Sequence, residues 1–159
     1  MAEQDITKPF KYQELFKKFD EVLGKKPEAL RFVIAYGRYI EVVDDLVDEP
    51  KNLTFIRNAT EQAALLFTSN YWLANGRELI LVERVIHMVY FASVKWETAT
   101  ELWKQRDAKV LSHAGYFMLF AILLLESGDQ ERCQEMLLEF MEKVHAEHYG
   151  DLPPEVANA

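Results

Sequence analysis

The sequence is poor in cysteine and in positive charge. Its one cysteine, Cys133, cannot form a disulfide within the chain, nor a zinc site built from several thiolates. The chain carries 18 basic and 26 acidic residues, a net charge of -8, which argues against a nucleic-acid-binding protein because such a protein needs a basic face for phosphates. The first residues also lack the basic start and apolar run of a signal peptide. We therefore expect a cytoplasmic protein without a nucleic-acid partner.

Glycine and proline are also scarce, with six and five residues in 159, and the segments between them have apolar residues every three or four positions. This spacing predicts amphipathic helices, and we find no alternating strand pattern. The expected fold is all-α, a compact bundle of about six helices in a single domain over residues 10–149, between an N-terminal arm (1–9) and a C-terminal tail (150–159). The predicted helices lie near 10–23, 28–49, 53–74, 77–98, 100–126 and 129–148.

Two of these helices, 77–98 and 100–126, are apolar around most of their circumference. Such helices are central in a bundle or are covered by another subunit, so the sequence predicts two central helices and a homo-oligomer that shares this surface; the alternative is a monomer whose other four helices cover both. The uncharged run from Ala114 to Leu125 is shorter than the roughly 20 residues that a membrane-crossing helix needs. We therefore expect no membrane span.

An acidic run, Asp44-Asp45-Leu46-Val47-Asp48-Glu49, stands directly before Pro50, where a helix should end. Carboxylates at a helix C-terminus oppose the helix dipole, at a cost of about 0.3–1 kcal/mol each, so we expect a cation, such as a metal ion or a basic partner, to compensate. Asp44, Asp45 and Asp48 have helical i,i+3 and i,i+4 spacing and can converge on one point, as a magnesium site requires. The alternative is a solvated acidic face that Lys51, Arg57 or a neighbouring helix neutralises.

The segment 43–49 resembles the first aspartate-rich motif of isoprenoid synthases, which is DDxxD in prenyl-diphosphate synthases and DDxxDE in squalene and phytoene synthases. The resemblance covers about 15 residues, with Tyr36, Arg38 and Tyr39 as its lead-in. It implies an all-α fold in which Asp44, Asp45 and Asp48 bind Mg²⁺ and Arg38 contacts a diphosphate.

The same helix is also similar to small all-α nucleotide pyrophosphohydrolases, which hold magnesium with acidic pairs at i,i+3. The matching pairs here are Glu41 with Asp44 and Asp45 with Asp48. Both resemblances imply magnesium and a diphosphate-containing small molecule.

Polar residues within the apolar helices are the remaining candidates. Glu83 and His87 share one face of helix 77–98 and could line the buried side of a substrate site, where they could bind a metal or act as a carboxylate that orients a general base. The alternative is structural: a buried Glu–His hydrogen bond, or a contact from Glu83 to an arginine such as Arg84 or Arg106. We interpret His113 as a core histidine, and we assign no function to His145 or His148, which suit the end of the last helix.

Two functional hypotheses follow. The first is a divalent-metal-dependent site for diphosphate chemistry, with Asp44, Asp45 and Asp48 as metal ligands and Arg38, Glu83 and His87 at the substrate. The second is a non-catalytic helical oligomerisation or adaptor protein, whose acidic patch is solvated or binds a partner.

Overall fold

The computed structural model describes residues 12–149, so the arm, the tail and the start of the first predicted helix lie outside the described residues. Residues 12–149 form helices and no strand, which confirms the all-α bundle. The helices are α1 (Gln13–Leu23), α2 (Pro27–Asp48), α3 (Leu53–Phe67), α4 (Asn70–Glu97), α5 (Leu102–Leu111), a 3₁₀ turn (Ser112–Gly115), α6 (Tyr116–Ser127) and α7 (Gln130–Tyr149).

The boundary between α3 and α4 differs from the prediction. We expected the break near Gly76, but α3 ends at Phe67 and Gly76 lies inside α4. Ser69 caps α4, since its hydroxyl oxygen accepts a hydrogen bond from the Trp72 backbone N–H at 3.3 Å. A capping serine satisfies a backbone donor that would otherwise lack a partner, whereas one glycine inside a helix costs only about 1 kcal/mol relative to alanine. The serine therefore marks the break and the glycine does not.

The predicted helix over 100–126 is divided by the 3₁₀ turn. The last residue of this turn, Gly115, packs directly against α2. A Cβ atom on Gly115 would lie 2.8 Å from Ile40 Cγ1, so only glycine allows so close an approach. The turn thereby brings His113 and Tyr116 next to the acidic end of α2.

The core is built around α6, which contacts α1, α2, α4 and α7. Its buried side chains cover most of its circumference and include Met118, Leu119, Ile122 and Leu123. α6 ends at Gly128, which has a positive φ of 65° and is suited to a left-handed helix terminus. Asp129 then caps α7 by accepting a hydrogen bond from the Arg132 N–H at 3.1 Å.

Within the described part of the chain, one helical stretch, 102–127, is long and apolar enough to cross a membrane. Half of its most apolar 18 residues are buried inside the fold. The core helix of a water-soluble bundle is often as long and as apolar as this stretch.

The second largely apolar helix, α4, buries only one face. Tyr71, Leu79, Ile86 and Tyr90 point into the core. The opposite face is exposed, and we call it the α4 stripe: Leu73, Leu81, Val85, Met88 and Phe91. Within the single chain, no other described helix covers this stripe.

Candidate functional site

Two hydrogen bonds between tyrosines and carboxylates join α2 to α4. Tyr36 on α2 donates to Glu83 Oε2 on α4, and in return Tyr90 on α4 donates to Asp44 Oδ1 on α2 at 3.0 Å. The pairs lie about two turns apart on both helices, so α2 and α4 run parallel. Asp44 is therefore held by a side chain from another helix.

Beside Asp44 lies a pocket of about 430 Å³, which we call the acidic pocket. It opens between α2, the last residue of α4, α5, the 3₁₀ turn, α6 and α7, and small-molecule sites are commonly about 300–1,000 Å³. Its lining residues are Ile40, Glu41, Asp44, Glu97, Lys109, Ser112, His113, Tyr116 and His148.

Negative charge accumulates at the junction of α2 and α4. The pKa of Glu97 is raised, first by partial burial and then by repulsion from Asp48 and Asp44. The pKa of Tyr90 is raised by burial and by the same carboxylates. Among residues 12–149, no lysine or arginine nitrogen lies within 4.0 Å of Asp44, Asp48 or Glu97. Lys109, which lines the same pocket, lowers the pKa of Glu97, but its effect is smaller than each of the effects that raise it.

The sequence offered Lys51 or Arg57 to neutralise the acidic run. Arg57 instead pairs with Glu61 on its own helix, with 3.0 Å between Nε and Oε1. Asp44, Asp45, Asp48 and Glu49 thus have no ion-pair partner in the part of the chain that the structure describes. The compensating cation that the helix dipole calls for is not supplied there by a side chain.

The structure separates the other predicted site residues from this pocket. Asp45 is exposed and is not among the lining residues, while Asp48 acts on the pocket through its charge. Arg38 lines a different cavity of about 520 Å³ between α2 and α3, next to Arg31. The predicted magnesium ligands and the predicted diphosphate contact therefore do not converge.

Glu83 and His87 also lie outside the lining of the acidic pocket. Glu83 is 4% exposed, and its two carboxylate oxygens are engaged separately. Tyr36 donates to Oε2, and His87 Nε2 lies 3.0 Å from Oε1, close enough for an ion pair but without hydrogen-bond geometry. The buried Glu83 carboxylate is thus paired with Tyr36 by a hydrogen bond and with His87 by an ion-pair contact.

Sequence reasoning missed most of the residues that complete the pocket: Glu97, Lys109, His113, Tyr116 and His148. They come from five elements, α4, α5, the 3₁₀ turn, α6 and α7, so no spacing rule joins them to Asp44. The sequence indicated His113 only as a core histidine within the predicted helix 100–126, and His148 only as a residue that suits the end of the last helix.

No family model matches the chain, and we found no significant similarity to a curated protein or to a solved structure. The site must therefore be interpreted from its own geometry and charge.

Proposed function

We propose that the acidic pocket is a divalent-cation-dependent site for a phosphate-bearing small molecule. The observation that carries the proposal is the convergence of Asp44, Asp48 and Glu97 from two helices without a basic partner within ion-pair distance among residues 12–149. Their mutual repulsion favours a bound cation, which would remove the repulsion and offset the helix dipole together.

The ligand chemistry favours a hard cation such as Mg²⁺. Magnesium is bound through one or two protein carboxylates, several waters and often a substrate phosphate, and it needs no closed protein cage. Asp44 and Glu97 line the pocket and can supply these carboxylates, with Asp48 beside them. Tyr90 fixes the orientation of Asp44 by its hydrogen bond.

Lys109 supports a phosphate-bearing ligand. It lines the same pocket from α5, so its ammonium group can pair with an anionic group that the metal also contacts. In this arrangement Lys109 takes the role that the sequence assigned to Arg38. The proposed ligand class, a diphosphate-containing small molecule, is thus the one that the resemblances implied.

Calorimetric titration of Mg²⁺ into the full chain, with and without pyrophosphate, tests the proposal. We expect saturable binding that pyrophosphate strengthens. The double variant Asp44→Asn/Glu97→Gln should weaken Mg²⁺ binding at least about tenfold, a loss of about 1.4 kcal/mol or more, because it removes two ligand charges. Lys109→Met should leave binding of Mg²⁺ alone intact and remove the effect of pyrophosphate.

Asp45→Asn is the matched control, since Asp45 lies on the same helix and is exposed outside the pocket. It removes one charge from the same acidic run, and we expect it to change Mg²⁺ affinity less than twofold. The proposal is wrong if the wild-type chain binds no Mg²⁺, or if Asp45→Asn weakens binding as much as the double variant does.

A second candidate function, oligomerisation, rests on the α4 stripe. Leu81, Val85 and Met88 follow i,i+4,i+7 spacing and are 68%, 58% and 72% exposed, with Leu73 and Phe91 extending the same face. A continuous apolar stripe on one helix is typical of a protein interface rather than of a monomer surface. We propose a second copy of this chain as its occupant, which agrees with the homo-oligomer expected from the sequence.

A further inference from the structure

Three side chains with metal-binding atoms meet where α7 reaches the acidic pocket. One ring nitrogen of His113, one of His148 and a carboxylate oxygen of Glu147 all lie within 4.8 Å of one another. His113 comes from the 3₁₀ turn, while Glu147 and His148 are consecutive on α7. Their combination of two imidazoles and one carboxylate differs from the all-carboxylate group at the α2–α4 junction.

Two of the three groups are oriented by a further hydrogen bond. His113 Nδ1 lies 2.9 Å from the Lys109 carbonyl oxygen, a geometry in which a protonated Nδ1 donates and Nε2 keeps its lone pair. The Tyr12 hydroxyl donates to Glu147 Oε2 at 3.0 Å. Metal-binding histidines and carboxylates are commonly held in this way, because the outer bond fixes the tautomer and the direction of the ligand atom.

The geometry points to a transition-metal site in which His113, His148 and Glu147 bind a first-row divalent ion of the zinc class. Imidazole nitrogen favours zinc, iron, nickel or copper over magnesium and calcium, which prefer oxygen. Two histidines and one carboxylate leave coordination positions open, as in catalytic rather than structural sites. Here the open positions would face the acidic pocket, which both histidines line.

Binding requires only a small contraction of the three groups. Ligand atoms on a tetrahedral zinc ion lie about 3.4 Å apart, given metal–ligand bonds of about 2.1 Å. The present separations of up to 4.8 Å can close by side-chain rotation, because Glu147 is exposed and both histidines are only partly buried. The negative potential of Asp44 and Glu97 in the same pocket would favour entry of the cation.

This inference is independent of the proposed magnesium site, because it uses other residues and a softer ion. The test is a titration of the full chain with Co²⁺ in excess Mg²⁺, followed by the visible absorption of the bound cobalt and then by displacement with Zn²⁺. We expect one saturable site that Zn²⁺ displaces. His113→Gln and His148→Gln should each weaken Co²⁺ binding at least about 100-fold, since each removes a direct ligand.

His145→Gln is the matched control, because His145 is an exposed histidine on the same helix that stacks on Tyr149 and is not one of the three. It should bind Co²⁺ as the wild type does. Tyr12→Phe, which keeps the ring and removes the bond to Glu147, should weaken binding about 10- to 100-fold. Circular dichroism of each variant checks that it is folded.

A different pattern would overturn the inference. It fails if folded wild-type protein gives only the spectrum of hydrated Co²⁺, or if His145→Gln loses as much affinity as His113→Gln. Because the two sites share no ligand, Mg²⁺ binding should survive in His113→Gln, and Co²⁺ binding should survive in Asp44→Asn/Glu97→Gln. Failure of one proposal is therefore distinguishable from failure of the other.

Discussion

Individual tyrosines hold the helices of this protein together through carboxylates. Five of the seven tyrosines donate a hydrogen bond to an aspartate or glutamate on another helix or segment, a charge-assisted bond stronger than one between neutral groups. The pairs are Tyr12–Glu147, Tyr36–Glu83, Tyr71–Glu126, Tyr90–Asp44 and Tyr149–Asp107. The partners are 42 to 135 positions apart, so no local pattern in the sequence reveals them.

The most buried of these bonds, Tyr36–Glu83, gives a prediction at the residue scale. Tyr36→Phe should lower the free energy of unfolding by about 1.5–3 kcal/mol, because it leaves the buried Glu83 carboxylate without its hydroxyl donor. Urea unfolding followed by circular dichroism measures the loss.

Tyr39→Phe makes the same chemical change three residues along α2. The structure gives the Tyr39 hydroxyl no hydrogen bond to a described residue, so its removal should cost clearly less. Equal losses in the two variants would show that burial of the hydroxyl, and not its bond to Glu83, sets the cost.

At the scale of single elements, α4 shows that hydrophobic periodicity predicts a helix but does not identify which of its faces is buried. The sequence of α4 is apolar on most sides, which predicted a helix that must be covered all round. In the structure the buried side contains a charged residue, Glu83, while Leu81 and Met88 are exposed. Hydrophobicity alone did not identify the inner face, because Glu83 lies on it and is paired there by Tyr36 from α2.

The α4 stripe gives a prediction at this scale. Leu81→Glu should weaken self-association at least about 100-fold and leave the single chain folded, because Leu81 is 68% exposed in the single chain and would be buried only against a second copy. Sedimentation velocity over a range of concentrations measures the association.

Leu138→Glu is the control, an identical change at an exposed leucine of α7. It should leave the oligomer unchanged. A wild-type chain that is monomeric at all concentrations, or equal effects of the two variants, would exclude the α4 stripe as the interface.

Across the whole molecule, burial and neighbouring carboxylates both raise the pKa values of the tyrosines. The pKa values of all seven tyrosines are raised, mainly by burial, and carboxylates raise those of the paired tyrosines further. For Tyr149 the pKa rises to about 12. A negative phenolate would be both desolvated and next to another negative charge, so the tyrosine hydroxyls stay protonated to a higher pH in the folded protein than in the unfolded chain.

The pH dependence of stability follows from this. Above about pH 10 the unfolded chain loses tyrosine protons that the folded chain retains. The contribution of the tyrosines to the free energy of unfolding should therefore be fully present below pH 10 and should be lost as pH rises through the raised pKa values. The ultraviolet absorbance of phenolate reports tyrosine alone. In the folded protein it should rise well above pH 10, and in urea it should rise near pH 10. Coincident titrations in the two conditions would contradict the prediction.

The pattern of apolar residues was sufficient to predict an all-α bundle and most helix positions, because helix formation depends on neighbours three and four residues away. It was also sufficient to place the acidic run at the end of α2. The sequence placed the break between α3 and α4 at Gly76, whereas the structure has it at Ser69. The pattern alone could not decide between the two positions, because a serine cap stabilises a helix by about 1 kcal/mol and a glycine inside a helix costs about the same.

The composition of the site was decided by tertiary structure alone. The sequence grouped Asp44 with Asp45 and Arg38, which are its neighbours on α2. In the structure Asp44 instead lies beside Tyr90, Glu97 and Lys109. Asp45 and Arg38 lie outside the acidic pocket, and Arg38 lines a different cavity. His113 reaches the pocket because Gly115 lets the 3₁₀ turn contact α2. Helical periodicity fixes which way a side chain points from its own axis, but only the packing of several helices determines which side chains from different helices face one another.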